Sequence, residues 1–316
     1  MFFVALYALL LYSHILILPM AKQPPVSSGV LGAWVMHHVV AWGGWSKLLA
    51  YLHIVGQALL VNYIVNRYKM QPDPTYLPAV GYVLVLGFFH YTPGLNPVLL
   101  ANTFLIIAIW ELFKTYRESK CADNIFNVGL WLAVGSLCYL PVGIFLLLGI
   151  VGMLMLRSSN FKDYLILFIG FLIPYFLAGT GFFLTDAFPE FLQRQFHNNF
   201  GIKDFLTRRD FWDYLKPAIT ILAIIGFAIA SGNLNTRTSA QAQKNYSLLF
   251  WILIISIFSI TFQLGITTEH LLLVAMPLGI LSAAALTRIK NITAAELTHL
   301  AILMIILGYQ YRSILV

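Results

Sequence analysis

About eleven apolar stretches, each long enough to cross a lipid bilayer, fill this 316-residue chain and leave little of it for anything else. A hydrocarbon layer of ~30 Å and a helical rise of ~1.5 Å per residue ask for about 20 apolar residues per crossing. On that measure the chain predicts helices over 1–19, 46–66, 76–91, 96–113, 124–140, 141–157, 163–184, 213–232, 246–265, 270–288 and 292–311. Apolar residues make up 60% of the sequence and charged residues 10%, whereas a soluble domain carries about 25% charged residues. The expected fold class is all-α: a polytopic helical membrane protein, one integral domain over 1–316. Between the first two spans, Val30, Leu31, Trp34, Val35, His38 and Trp42 predict a helix within 27–44 that lies in the headgroup layer, anchored by tryptophan.

No hydrophilic stretch approaches the ~50 residues of an independently folding domain. No G-x-x-x-x-G-K-S/T loop is present to cradle a nucleotide phosphate, which argues against nucleotide hydrolysis. Arg67, Lys69, Lys114, Arg117, Lys120, Arg157, Lys162, Arg237, Lys244, Arg288 and Lys290 fall on one side of the predicted spans. Outside the longest loop, only Lys22, Lys47, Lys216 and Arg312 face them. The positive-inside rule makes the first side cytoplasmic, with the amino terminus inside and the carboxyl terminus outside. These anchoring loops account for the formal charge of +7, so nucleic acid is not an expected partner. Met1-Phe2-Phe3 lacks a basic n-region and Pro19-Met20-Ala21 is a poor cleavage site, so the first stretch is expected to stay as a span. Cys121 and Cys138 lie toward opposite membrane faces, too far apart for the ~7 Å reach of a disulfide. Neither has a partner at ligand spacing, which argues against thiol redox or zinc chemistry.

Histidines gather on the outer side. His14, His53, His90 and His270 fall in the outer halves of their spans and His37, His38 and His197 in outer loops, with His299 the exception. They could line an outward-facing cavity or meet an anionic headgroup. No pair has the i, i+4 spacing of a helical metal site, so no metal is expected, and no cofactor is identified. Within the spans, Gln57, Asn62, Asn102, Thr103 and Gln263 must find partners, because an unpaired polar group in hydrocarbon costs several kcal/mol. They line a solute path only if their helices face one another. Of the carboxylates, only Glu111 and Glu296 approach membrane depth, which argues against proton-driven transport. Asp186, Glu190, Asp204, Asp210, Asp213 and Glu269 are expected outside.

The 28-residue segment 185–212 is the only loop with room for chemistry. Phe188, Phe191, Phe196, Phe200, Phe205, Phe211 and Trp212 alternate there with Arg194, Lys203, Arg208 and Arg209. Rings of that kind insert at an interface while cations meet phosphates.

The order of parts, a span, an amphipathic outer loop, six more spans and a second outer loop, resembles the core module of C-type glycosyltransferases (GT-C) over 1–232. Three further helices over 233–316 complete the chain. That resemblance implies handling of polyprenyl-phosphate carriers and an acidic residue in the first outer loop that serves as catalytic base or metal contact. Here 21–45 contains no Asp or Glu. A second resemblance rests on 66–72, Tyr76-Leu77-Pro78-Ala79, Tyr82, Asn102, Asn124-Ile125-Phe126-Asn127, Tyr139-Leu140-Pro141, Arg157 and Pro174-Tyr175. These residues look like the core of an uncharacterised integral membrane family of Bacteroidetes-type bacteria, which implies the inner membrane of a Gram-negative cell and a periplasmic carboxyl terminus. The functional expectation is recognition of a lipid-linked or headgroup-bearing substrate at the outer leaflet, by a GT-C-like glycosyltransferase or a degenerate relative. Asp186 or Glu190 would supply the acid, and Arg194, Arg208 or Arg209 would hold the carrier phosphate. His37, His38, His53, His90, Asn102, His197 and His270 would line the substrate cavity. Two other readings are a non-enzymatic subunit with an envelope protein partner, and a lipid or solute transporter.

Overall fold

A computed structural model describes residues 2–17, 28–40, 44–89, 94–118, 120–199, 239–260 and 268–315. Every regular element among them is helical. In chain order these are α1 (Phe2–Ile17), α2 (Val30–Val40), α3 (Trp45–Arg67), α4 (Leu77–Phe89), α5 (Pro97–Lys114) and α6 (Ala122–Cys138). A 3-10 turn (Leu140–Phe145) then runs into α7 (Leu146–Leu156), followed by α8 (Phe161–Leu184) and a short α9 (Phe188–Leu192) that ends in a π turn (Gln193–His197). After α10 (Ala240–Ile260), a second 3-10 turn (Thr268–Val274) leads into α11 (Ala275–Leu286), and α12 (Ile292–Leu315) closes the described chain.

Local chemistry sets these boundaries. Asn96 caps α5 by accepting from Leu99 N at 2.7 Å, with Pro97 in the first turn where its missing N–H costs nothing. Asn160 and Asp163 form a capping box at the start of α8. Tyr139 and Arg157 are extended, at φ −149° and −152°, and break the chain on either side of the 3-10 turn and α7.

Two seams without side chains between them hold the bundle. Where α6 meets α8, a Cβ on Gly129 would lie 2.8 Å from Phe171 N, and one on Gly170 would lie 3.1 Å from Phe126 C. Where α4 meets α11, a Cβ on Gly279 would lie 2.6 Å from Tyr82 Cα. Small residues permit such backbone approach, the usual device of helices packed in lipid. At the basic end of the bundle, the buried Glu111 takes Lys114 at 2.6 Å and the Asn124 amide at 2.8 Å, joining α5 to α6. Arg157 reaches Asp163 at 3.2 Å and donates to Cys121 Sγ, tying α6, α7 and α8 together. Burial pushes the Cys121 thiol up, against the pull of the neighbouring Arg157.

Four stretches are long and apolar enough to cross a membrane: Trp45–Arg67, Pro97–Lys114, Phe161–Leu184 and Glu269–Leu286. The apolar stretches Phe2–Ser13, Val30–Val39, Leu77–Phe89, Leu140–Leu156 and Ile292–Gly308 are shorter, so the eleven expected crossings are not reached among the described residues. One local cause is the 3-10 turn Leu140–Phe145, which leaves only Leu146–Leu156 as α-helix in the expected span 141–157. The expected crossing over 213–232 lies outside the described residues. Within the bundle, Glu269–Leu286 is central, with 83% of its most apolar window buried, and Phe161–Leu184 is peripheral, with 22%.

Candidate functional site

Residues 185–199 form packed structure instead of a loose loop. In α9 and its π turn, Phe191, Gln195 and Asn199 recur at i, i+4 and i+8, and all three are buried. The Gln195 amide donates to Ser136 O at 2.9 Å and its carbonyl oxygen accepts from Val30 N at 2.9 Å. Asn199 donates to Ser28 O at 3.1 Å, and Gly29 N donates to Cys138 O at 2.9 Å. Residues 28–30, the end of α6 and the π turn after α9 are thereby stitched into one cap. Gly32 of α2 lies directly against the Cys138 backbone, 3.2 Å from Cα to its would-be Cβ.

Beneath the cap lies an open apolar groove of about 880 Å3. One wall is the 3-10 turn, with Leu140, Pro141, Gly143 and Ile144; another is α8, with Phe171, Leu172, Tyr175, Phe176, Gly179, Thr180 and Phe183. Phe188, Phe191 and Phe196 close the third side. Their rings continue one another, Phe182 to Phe191 at 5.6 Å, Phe188 to Phe191 at 6.1 Å and Tyr175 to Phe196 at 5.9 Å. Tyr175 OH hydrogen-bonds Ser136 Oγ at 2.7 Å, so the phenol hydroxyl of this groove residue already has a partner.

The predicted site residues divide among several places. Glu190 and Arg194 pair with each other across one helical turn on the exposed face of α9. Asp186 is exposed at the turn into α9 with φ +55°, a left-handed conformation that Asp tolerates. No carboxylate lines the groove among the described residues. His197 is exposed at the end of the π turn, and His37 and His38 are exposed on α2, where His38 Nδ1 donates to Trp34 O at 2.8 Å. The side chains of His90, Arg208 and Arg209 lie outside the described residues, as do those of His14 and Gln263.

His53 and Asn102 do meet, through intermediaries. Asn102 donates to Tyr82 OH at 2.9 Å, Tyr82 donates to Gln57 Oε1 at 2.6 Å, and Gln57 donates to Thr103 Oγ1 at 2.6 Å. Thr103 in turn hydrogen-bonds His53 Nε2 at 2.7 Å. This chain joins α3, α4 and α5, and the burial of Gln57, Tyr82 and Asn102 makes it a polar clasp with no opening at those three residues. Tyr82→Phe removes one hydroxyl and strands two buried groups, Gln57 Oε1 and Asn102 Nδ2. At about 1–3 kcal/mol for each orphaned group, a drop in melting temperature in detergent is expected, with the helical circular dichroism unchanged at low temperature.

His270 stands in a separate buried cluster. Its Nδ1 meets Tyr139 OH at 2.7 Å and its Nε2 meets Ser259 Oγ at 2.9 Å. Because Ser259 donates to Ser256 O at 2.7 Å, Ser259 must accept from Nε2–H, which leaves Nδ1 to accept from Tyr139. Glu269, expected among the outer carboxylates, is instead buried to 3% exposure. The cause is the 3-10 turn Thr268–Val274, which packs against α5, α10 and α11 and carries its first residues inward. Neither His270 nor Glu269 lines the groove.

Sequence reasoning missed Gln195, Asn199 and Tyr175 as the residues that hold the cap. The signal was present in the spacing of Phe191, Gln195 and Asn199, which share one helical face.

A model of a family of unknown function, DUF6427, matches residues 37–316. The chain belongs to the DUF6427 family. The DUF6427 region takes in both glycine seams, the clasp, the groove and α9, together with Gln195. No curated protein and no solved structure matches the chain.

Proposed function

We propose that this protein recognises a headgroup-bearing lipid at the outer leaflet of the inner membrane, with the lipid's hydrocarbon chain in the aromatic groove. The observation that carries this reading is the division of labour on α9. Phe188, Phe191 and Phe196 face the groove, while Glu190 and Arg194 of the same short element are exposed and charged. A ligand suited to both surfaces is apolar along its length and anionic at its end. Arg194 can exchange Glu190 for a phosphate, an acceptor to which guanidinium binds in a bidentate, charge-assisted way. A polyprenyl-phosphate carrier has that chemistry.

Gly179 offers a clean test, because a Cβ there meets only Phe188 at 3.6 Å and Phe191 at 3.9 Å, both ordinary contacts. Gly179→Leu is expected to fill the groove without disturbing the fold. Gentle extraction followed by native mass spectrometry should find a lipid-phosphate species on the wild type and none on the variant. A stoichiometric protein partner with no such lipid on the wild type would replace this reading with that of an envelope-complex subunit. The catalytic version, glycosyl transfer with Asp186 or Glu190 as base, is tested separately. It fails if Asp186→Asn and Glu190→Gln both keep full function in the cell.

A further inference from the structure

A second groove, of about 610 Å3, opens between α11 and α12 with α4 as its floor. It exists because α12 stands away from its predecessor. The helix is pinned at two heights, by Gln310 donating to Gly87 O at 2.7 Å and by His299 Nε2 against Tyr7 OH at 2.9 Å. Both pins lead to α4 and α1, and neither leads to α11. The resulting wedge is apolar: Leu278 and Leu286 of α11 face Thr298, Ile302 and Ile306 of α12. Its hydroxyls are already spent inside their own helices, Ser282 on Gly279 O at 2.9 Å and Thr298 on Ala294 O at 2.8 Å.

What distinguishes this wedge from an ordinary lipid-facing crevice is the positive charge beside one end. The turn 287–291 joins α11 to α12; its Ile289 lines the groove, and the neighbours of Ile289 in sequence, Arg288 and Lys290, are both exposed. From Thr298 to Ile306 the groove rises roughly 12 Å at 1.5 Å per residue, close to the ~15 Å of a single leaflet. We propose that the α11–α12 wedge is a binding site for an anionic phospholipid, with an acyl chain between the helices and its phosphate at Arg288 and Lys290. The distribution of Lys and Arg makes this the cytoplasmic leaflet. Basic pockets between membrane helices select anionic headgroups in this way. The site is independent of the aromatic groove under α9, which lies toward the opposite end of the bundle and has a different lining.

Each cation near an anionic headgroup contributes on the order of fivefold in affinity. Glu296, exposed in the first turns of α12, opposes them in part, so a preference of roughly tenfold for phosphatidylglycerol over phosphatidylcholine is expected. The full chain is delipidated in detergent, given equimolar amounts of the two lipids, and examined by native mass spectrometry. In Arg288→Gln/Lys290→Gln the preference should fall to about parity, with phosphatidylcholine binding unchanged. Ala285→Trp, which fills the wedge from the α11 side, should lower binding of both lipids. Gly179→Leu should leave the preference intact, which separates failure here from failure of the outer-groove reading. Parity in the wild type, or a preference that survives the double substitution, overturns the proposal. The charge variant alone suffices if the tryptophan variant does not fold, because its two positions are exposed.

Discussion

Gly129→Leu is expected to leave no folded protein to purify. The Cβ of any replacement lies 2.8 Å from Phe171 N on α8, so the first atom added meets backbone that no rotamer change can move aside. Overpacking that neighbouring side chains can absorb costs about 1–3 kcal/mol; separating two main chains also opens the rest of the α6–α8 contact. Against the ~5–15 kcal/mol of a typical folded domain, that loss is decisive. Fluorescence-detected size exclusion should show the monodisperse peak replaced by aggregate. Gly181→Leu is the matched control, in a helix of the same seam but with open space around its Cβ. It should keep the peak, since leucine is the better helix former by up to about 1 kcal/mol.

Gln195→Leu is the second large effect. The substitution keeps much of the side-chain volume but leaves Val30 N–H and Ser136 C=O unpaired. At about 1–3 kcal/mol for each stranded group, the cap loses about 2–6 kcal/mol. The loss is local, because the glycine seams do not depend on Gln195. Hydrogen exchange should therefore accelerate over 28–40 and 188–199 while α5 and α6 stay protected. Gln193→Leu, at an exposed neighbouring position, should change neither region. Uniform protection in the Gln195 variant would mean that the cap is held by its apolar contacts alone.

The all-helical class and most helix positions were legible because a run of apolar residues bounded by cations leaves few alternatives. The α2 helix within 27–44 was legible for a related reason, its apolar residues and tryptophans recurring at helical spacing. Length was harder. The break between the expected spans 124–140 and 141–157 falls within two residues of the end of α6 at Cys138, but that Leu140–Phe145 then form a 3-10 turn was not legible. The burial of Glu269 was not legible either, because it depends on the packing of its 3-10 turn. Of the polar residues expected to find partners inside the spans, Gln57, Asn102 and Thr103 do so, whereas Asn62 Oδ1 is buried with none among the described residues and Gln263 lies outside them. The pairing of Gln57 with Tyr82 and Thr103, but not with Asn62, depends on which helices are neighbours, and composition along one chain does not encode that. The segment 185–212 stood out by its rings and cations, whereas the residues that hold its described part, 185–199, in place are neutral amides with no compositional signature.

The two glycine seams also constrain how this molecule can move. Main chains in contact through Gly129 and Gly170, or through Gly81 and Gly279, have no intervening side chains to change rotamer and so no intermediate positions to slide through. Each pair, α6 with α8 and α4 with α11, therefore behaves as a single stiff plank. Any rocking or opening has to be taken up between planks and not within them.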